Sequence, residues 1–194
     1  MKIITYDTET TALTPGQICQ ISYLIRDESG IRGKNMFFSV DEMSEGSYEV
    51  HGFSLDDLDE LSGGDHFEDR AEEILADFSG AAWVIGHNIA ADDRFLRTEM
   101  ERAGIKLPRF KLFDTQNHFQ GIMMMQRKVQ TGRPKPPKLT ELAEFLGLTE
   151  EAISAAAGEW FEGGDRAHDA RFDAAMTYLC VQEGTRKGML RGIL

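Results

Sequence analysis

The stretch Ile3-Ile4-Thr5-Tyr6-Asp7-Thr8-Glu9-Thr10 decides the fold, because it is an apolar strand that ends in two acids. Side chains alternate along a strand, so Asp7 and Glu9 project from the same face. Burying two acids side by side is costly unless a cation compensates their charge, and hard oxygen ligands suit Mg²⁺ or Mn²⁺. Exposed acids at the end of a strand would give the same pattern, so the interpretation depends on the rest of the chain.

A second acidic stretch, Gly86-His87-Asn88-Ile89-Ala90-Ala91-Asp92-Asp93-Arg94-Phe95-Leu96, opens an amphipathic helix. Asp92 falls three residues after one apolar position and four before another, which places it beside the apolar stripe. Asp93 points about 100° away and is expected in solvent. Asn88 is a candidate N-cap for the helix. An acid beside the stripe needs a partner, so Asp92 is the candidate site residue.

A third stretch, Ala167-His168-Asp169-Ala170-Arg171-Phe172-Asp173-Ala174, opens the last helix. Asp173 directly follows a predicted core residue, Phe172. His168 precedes Asp173 by five residues, a spacing that separates the two by about 140° on a continuous helix. Both can therefore face one site only if His168 lies at or before the start of the helix. A lone histidine is more often an ordinary surface residue, but its place after the two acidic stretches favours a functional role.

The apolar periodicity predicts strands first and alternating helices and strands afterwards. The predicted strands cover residues 3–10, 18–26, 34–40, 83–85 and 111–113. The predicted helices cover residues 67–78, 89–103, a segment from about Gln116, 139–146 and 172–179. This order indicates an α/β layered domain with a mixed sheet.

Length and composition fit one soluble globular domain spanning residues 1–194, with 41% hydrophobic and 28% charged residues. No apolar run approaches the roughly 20 residues needed to cross a bilayer. The first residues become acidic too soon for a signal peptide, so a cytoplasmic location is expected. Cys19 and Cys180 lie among apolar residues and outside any CxxC pair, which favours buried free thiols over zinc ligands.

The formal net charge of −12 argues against simple nucleic-acid binding through a basic footprint. The charge is uneven, since residues 41–79 hold 14 acids and one arginine, whereas residues 126–138 hold five cations and no acid. If the chain does act on a nucleic acid, this charge predicts weak, salt-sensitive binding, or a partner protein that supplies the affinity.

The order, spacing and context of the three stretches resemble the DEDDh 3'-5' exonucleases, the family of the polymerase III proofreading subunit and RNase T. Three weaker features agree with this resemblance. Residues 48–53 look like the "vHGI" segment before the family's first helix, Asp114-Thr115 looks like its "DT", and residues 139–147 look like its "LxxLaxxlGi" helix. One departure is Ala12, where members often carry the glycine of DTETTG, and this puts only the local loop shape in doubt.

The resemblance implies a ribonuclease H-like fold, a mixed five-stranded sheet flanked by helices, and two Mg²⁺ or Mn²⁺ ions per site. It implies that Asp7 bridges both metals, that Glu9 and Asp173 hold the metal that activates water, and that Asp92 supports the second metal. His168 would be the general base, so the rate should fall as pH drops through the pKa of this histidine. The product would be a nucleoside 5'-monophosphate, released from the 3' end.

Several further residues are expected to contact the substrate. By position these are Thr10, Leu13, His51 and Asn88, and in the basic segment Arg127, Lys128 and Arg133. Leu13 is expected either to wedge against the terminal base or simply to pack. The basic segment is expected either to touch substrate phosphates or to be a solvated loop.

The substrate is expected to be the 3' end of single-stranded DNA or RNA, with DNA favoured because the DTET motif resembles the proofreading group more than the oligoribonuclease group. Two other hypotheses for the function stay open. The chain could be a catalytically silent relative that acts as a nucleic-acid or polymerase binding module, or a ribonuclease H-like endonuclease. The chain ends about twenty residues after Asp173. Since this leaves no long tethering extension, the sequence favours a stand-alone enzyme, although a polymerase or other protein partner is possible.

Overall fold

The computed structural model describes residues 1–13, 16–125, 132, 134–161 and 169–194. The strands are β1 Ile3–Thr10, β2 Ile18–Asp27, β3 Gly30–Phe37, β4 Trp83–Gly86 and β5 Leu112–Asp114. The helices are α1 Glu45–His51, α2 Leu55–Ser62, α3 Phe67–Phe78, α4 Ala90–Arg102, α5 Thr115–Met123, α6 Leu139–Leu146, α7 Glu150–Trp160 and α8 Ala170–Arg186.

The five strands form one mixed sheet in the order β3-β2-β1-β4-β5. The first three strands form an antiparallel meander, while β4 runs parallel to β1 and β5 runs parallel to β4. Helices flank this sheet, so the predicted α/β class with a mixed five-stranded sheet is confirmed. The carboxyl end of β1, which carries the acids, lies in the centre of the sheet.

Helices cover both faces of the sheet and divide the core into two layers. On one face, Ile3 packs in a cluster with apolar residues of α6, α7 and α8. On the other face, Ile4 and Tyr6 pack with apolar residues of α3 and α4. Because side chains alternate along β1, Asp7 and Glu9 share the face of Ile3 and point to the layer of α8. Thr8 points to the layer of α4.

The central strands β1 and β2 carry buried side chains on both faces, as expected for strands covered by helices on both sides. Cys19 and Cys180 are both fully buried free thiols, as the sequence predicts. Burial raises the pKa of both thiols far above its usual range.

The third strand lies four residues earlier than predicted, at Gly30–Phe37 instead of 34–40. The hairpin is tighter than the apolar pattern suggested, because Asp27 already pairs with Gly30. The Asp27 carboxylate accepts hydrogen bonds from the backbone N–H and the hydroxyl of Ser29, at 2.8 and 2.5 Å. A two-residue connection of this kind fixes the register of the whole hairpin.

Three helices were not predicted: α1, α2 and α7. The segment 48–53, which was expected before the first helix, lies mostly within α1, and this helix ends at His51 with Gly52 as its C-cap. Gly52 adopts the left-handed conformation with φ 76°, which ends the helix. Among the described residues, no helix has both the length and the apolar character required to span a membrane.

Candidate active site

Three of the predicted site residues come together at the carboxyl end of β1. Asp7, Glu9 and Asp173 each place a carboxylate oxygen within 4.8 Å of the others. The first two come from alternate positions of the strand, and the third comes from the first turn of α8. The convergence predicted from the sequence is therefore present, and three clustered carboxylates offer the hard oxygen ligands that Mg²⁺ and Mn²⁺ prefer.

Asp92 approaches this cluster from the opposite layer of the molecule. It lies in the first turn of α4 and is only 9% exposed. Its Oδ1 accepts a hydrogen bond of 2.6 Å from the Thr8 hydroxyl. Repulsion from Asp92 is also the largest charge effect that raises the pKa of Asp7. The fourth acid is thus close enough to act on the same centre.

The acids of the site lie close together, with too little positive charge nearby to neutralise them. Burial, followed by repulsion from neighbouring acids, raises the pKa of Asp7 well above its usual range. Burial and repulsion from Asp173 raise the pKa of Glu9 to about 8. Burial raises the pKa of Asp92 to about 7, although the hydrogen bond from Thr8 opposes this shift. Like charges that raise one another's pKa are what a divalent cation would neutralise, so the residues fit a metal centre.

A buried polar network fixes the start of α8, which carries Asp173. Asp169 is the N-cap of this helix, is 2% exposed and forms an ion pair of 2.7 Å with Arg171. Gln20 of β2 donates a hydrogen bond to Asp169 at 3.1 Å and accepts one from the Ala170 backbone N–H at 3.1 Å. Burial opposes ionisation of Asp169, but the hydrogen bonds from Arg171 outweigh it and lower the pKa of Asp169.

Sequence reasoning missed this network. Its only visible signal was a glutamine, Gln20, within the apolar strand Ile18–Asp27. A fully buried glutamine requires partners for both its oxygen and its nitrogen, but the sequence does not show which residues supply them.

The start of α4 differs from the expectation. Asn88 does not cap the helix, because the N-cap is Ile89 and no side chain caps it. Asn88 instead adopts a positive φ of 63°, and its backbone N–H donates to Asp114 at 3.1 Å. The Asn88 side chain is consequently exposed at the end of β4. Asp93 also differs from the expectation, since it forms an ion pair of 2.8 Å with Arg97 instead of lying in solvent.

The residues expected to contact substrate lie in different environments. Leu13 is 87% exposed just beyond β1, and Thr10 is half-buried at the end of that strand. His51 is only 3% exposed, with its Nε2 4.0 Å from the Cys19 sulfur and its ring stacked on Phe53. For these residues and for Asn88, contact with a substrate stays a prediction.

Four of the predicted site residues lie outside the described residues. These are His168, Arg127, Lys128 and Arg133. The same holds for most of the basic segment, of which only residues 132 and 134–138 are described. Their predicted roles stay predictions.

The sequence matches one family model, that of the RNase_T exonucleases, over residues 4–179. The chain belongs to this exonuclease family. The match includes the four clustered acids and every strand except the first residue of β1. No curated protein matches the chain in sequence.

The fold is similar to that of exonuclease I. A zinc-bound complex of the Escherichia coli enzyme with single-stranded DNA superposes with a TM-score of 0.74 at 14% identity, covering 96% of this chain and 41% of that one. The E. coli enzyme with a dA16 oligonucleotide gives 0.72 at 14% identity, covering 95% and 41%. A moderately thermophilic exonuclease I from Methylocaldum szegediense gives 0.71 at 17% identity, covering 96% and 40%.

The chain thus spans about two fifths of the length of these proteins. The likeness shows a ribonuclease H-like exonuclease fold, as the sequence resemblance implied.

Proposed function

We propose that this chain is a metal-dependent 3'-5' exonuclease of the DEDDh type. It hydrolyses phosphodiester bonds from the 3' end of single-stranded nucleic acid, with DNA favoured over RNA, and releases nucleoside 5'-monophosphates. The observation that carries the proposal is the convergence of Asp7, Glu9 and Asp173 within 4.8 Å in a member of an exonuclease family. The unit proposed to carry this activity is a single domain, residues 1–194.

In this proposal the four clustered acids hold two divalent cations, Mg²⁺ or Mn²⁺. Asp7 serves both ions, Glu9 and Asp173 serve one, and Asp92 supports the other. When bound, such ions make a water molecule more acidic and stabilise negative charge on the leaving oxygen. The raised pKa values of Asp7, Glu9 and Asp92 support this assignment. Burial raises all three, repulsion from neighbouring cluster acids adds to the shift for Asp7 and Glu9, and bound cations would offset both effects.

Proton transfer and substrate binding are assigned to other side chains of this chain. His168 accepts the proton of the attacking water as general base, and Thr10, His51 and Asn88 contact the terminal nucleotide. Leu13 supports this arrangement by its exposure beside the site, where an apolar side chain can stack against the last base. The cations Arg127, Lys128 and Arg133 contact substrate phosphates.

The preference for DNA is supported by the solved structures with this fold, since E. coli exonuclease I has been captured with single-stranded DNA. Because the chain is strongly acidic overall, the proposal also allows a protein partner to supply part of the affinity for the substrate. A polymerase is one candidate partner. A cytoplasmic location is part of the same proposal.

The proposal is tested by a time course on 5'-labelled single-stranded DNA and RNA oligonucleotides with Mg²⁺ or Mn²⁺, and with EDTA. We expect shortening from the 3' end, release of mononucleotides, faster cleavage of DNA, and no cleavage in EDTA. Replacing Asp7 by Asn should lower the rate by at least about a thousandfold, since an amide cannot supply a bridging anionic ligand.

The matched control is Asp56→Asn, an exposed acid on α2, which should keep the wild-type rate. Internal fragments instead of mononucleotides would show an endonuclease. Absence of cleavage by the wild-type protein with either metal would favour a silent binding module and overturn the proposal.

A further inference from the structure

One buried acid outside the metal cluster has no role in the proposed mechanism. Glu99 lies near the end of α4 and is only 5% exposed. Burial raises its pKa, and Arg102 partly opposes this. A buried carboxylate is costly to keep in a fold unless it satisfies specific donors, so the groups that it binds indicate what it does.

The first donor is a backbone group at an irregular point of the sheet. Glu9 pairs with Gln20, but the next residue, Thr10, pairs with Ile18, so Cys19 is an extra residue in β2. At such a bulge, some backbone groups leave the regular hydrogen-bond pattern between the strands, and the neighbouring side chains change direction. The Ile18 N–H, at the edge of this bulge, donates instead to Oε1 of Glu99 at 3.2 Å.

The second donor is a side chain that holds the loop between β1 and β2. Nη1 of Arg102 donates to Oε1 of Glu99 at 2.9 Å and to the carbonyl oxygen of Gly16 at 3.2 Å. The base of the same loop is closed by Thr11, whose N–H donates to the Gln17 carbonyl at 2.9 Å. Glu99 therefore anchors the bulge directly and, through Arg102, the loop that carries Leu13.

We propose that Glu99 is a positioning residue of the metal centre, which closes the bulge beside Glu9 and so holds the Glu9 carboxylate in the cluster with Asp7 and Asp173. Both Asp92 and Glu99 belong to α4, and this helix is therefore tied to β1 through Thr8 and to β2 through Ile18. Arg102 extends the same anchoring to the loop that presents Leu13. The inference rests on the proposed function, because it assigns a task to the same site.

The physical reason lies in the register of the strand. Without the Glu99 acceptor, the Ile18 N–H would be buried and unsatisfied, and regular pairing without the bulge would compete. Regular pairing would set Thr10 opposite Cys19 instead of Ile18, and such a change of one residue in register turns the side chains at this end of β2 to the opposite face. Loss of Glu99 would thus disturb the strand that pairs with the end of β1 and displace Glu9 more than the other three acids.

The test compares Glu99→Ala and Glu99→Gln with the matched control Glu101→Ala, an exposed acid two residues along the same helix. Mn²⁺ affinity is measured without substrate, by electron paramagnetic resonance of free Mn²⁺, and kcat and KM are measured on single-stranded DNA. We expect Glu99→Ala to weaken Mn²⁺ binding about tenfold or more and to lower kcat at saturating Mn²⁺, since one ligand is misplaced. Glu99→Gln keeps an acceptor oxygen and should stay within about threefold of the wild type.

Hydrogen exchange of the Ile18 amide gives an independent readout of the bulge. Exchange should be faster in Glu99→Ala and unchanged in Glu99→Gln and in the control. If Glu99→Ala does not fold, Glu99→Asp decides, because it keeps the charge but withdraws the carboxylate by one methylene group. It should also speed exchange at Ile18 and weaken Mn²⁺ binding.

A variant that loses stability but keeps the wild-type Mn²⁺ affinity, kcat and KM would show that Glu99 serves the fold alone, and would overturn the inference. So would an unchanged Ile18 amide in the folded Ala or Asp variant. Absence of Mn²⁺ binding and cleavage in the wild-type protein would instead overturn the proposed function and, with it, any role of Glu99 at a metal centre.

Discussion

At the scale of single residues, Thr8 connects the two layers of the site. Strand alternation turns its side chain away from Asp7 and Glu9, toward α4. There its hydroxyl donates to Asp92 over 2.6 Å. A hydrogen bond to the ionised carboxylate favours that form and lowers its pKa, so Thr8 opposes the burial that raises the pKa of Asp92 to about 7.

Replacing Thr8 by Val removes this donor at nearly constant shape. The pKa of Asp92 should then rise further, so that a metal has to displace a proton more often. We expect the Mn²⁺ concentration for half-maximal rate to increase about tenfold at pH 6.5, the effect of roughly 1.4 kcal/mol from a hydrogen bond to a charged group. The increase should be smaller at pH 8.5, where Asp92 is ionised in both proteins. Titrating the rate with Mn²⁺ at the two pH values measures this.

The matched control is Thr98→Val, since Thr98 is exposed on the same helix and its hydroxyl donates only to a backbone carbonyl, that of Arg94. It should leave both Mn²⁺ titrations unchanged. Equal Mn²⁺ requirements for Thr8→Val and the wild type at pH 6.5 would show that the hydroxyl does not tune Asp92.

The sequence could predict the acids of the site but not the residues that support them. Asp7 and Glu9 follow from alternation along one strand, and Asp92 from its place beside an apolar stripe, because each pattern is local. The bond between Thr8 and Asp92 depends on which helix covers which face of the sheet. That choice is made by tertiary packing and leaves no local trace.

At the scale of elements, the attachment of α8 to the sheet depends on Gln20. This fully buried side chain of β2 accepts from the first backbone N–H of the helix and donates to the Asp169 cap. It also donates to Asn35 of β3 at 2.8 Å. One side chain therefore connects two strands with the helix that carries Asp173.

Replacing Gln20 by Leu should leave the Ala170 N–H buried without a partner. We expect the free energy of unfolding to fall by about 2–3 kcal/mol, the cost of one or two unsatisfied buried groups. Urea denaturation of the metal-free protein measures it. Gln182→Leu, an exposed position on the same helix, should change stability by less than about 0.5 kcal/mol. A similar loss in both variants would show that the network contributes no specific stability.

The elements that were not predicted from the sequence are mostly short helices, and their N-terminal capping residues can be recognised in the sequence. Ser54 and Asp57 form a capping box at the start of α2, and Thr149 caps α7. These signals are local and could have been used. By contrast, α3 was predicted with its correct limits, Phe67–Phe78, because its apolar stripe is long enough to show the helical period.

At the scale of the whole molecule, the buried acids of the site belong to a chain with a formal net charge of −12. In the metal-free protein the pKa of Glu9 is about 8 and that of Asp92 about 7, whereas an unfolded chain has values of about 4 for both residue types. These two acids therefore bind more protons in the folded state than in the unfolded state between about pH 4 and pH 8. Their contribution to stability falls as the pH rises through this window, whereas His87, whose pKa burial lowers, acts in the opposite direction.

Divalent cations should reverse this dependence, because they bind the ionised acids of the folded state and gain affinity as protons leave. In EDTA we expect Tm to decrease from pH 5 to pH 8.5. Saturating Mn²⁺, at about a hundred times its dissociation constant, should stabilise the protein by about 2.7 kcal/mol, or about 5–10 °C, for each ion bound at the upper pH. The difference in Tm between Mn²⁺ and EDTA should shrink toward pH 5, and scanning calorimetry across this range measures it.

In Asp7→Asn the difference should largely disappear, since the ligand assigned to both ions is lost. A Tm difference that is independent of pH, or equally large in Asp7→Asn, would place the stabilising cation elsewhere on this acidic molecule.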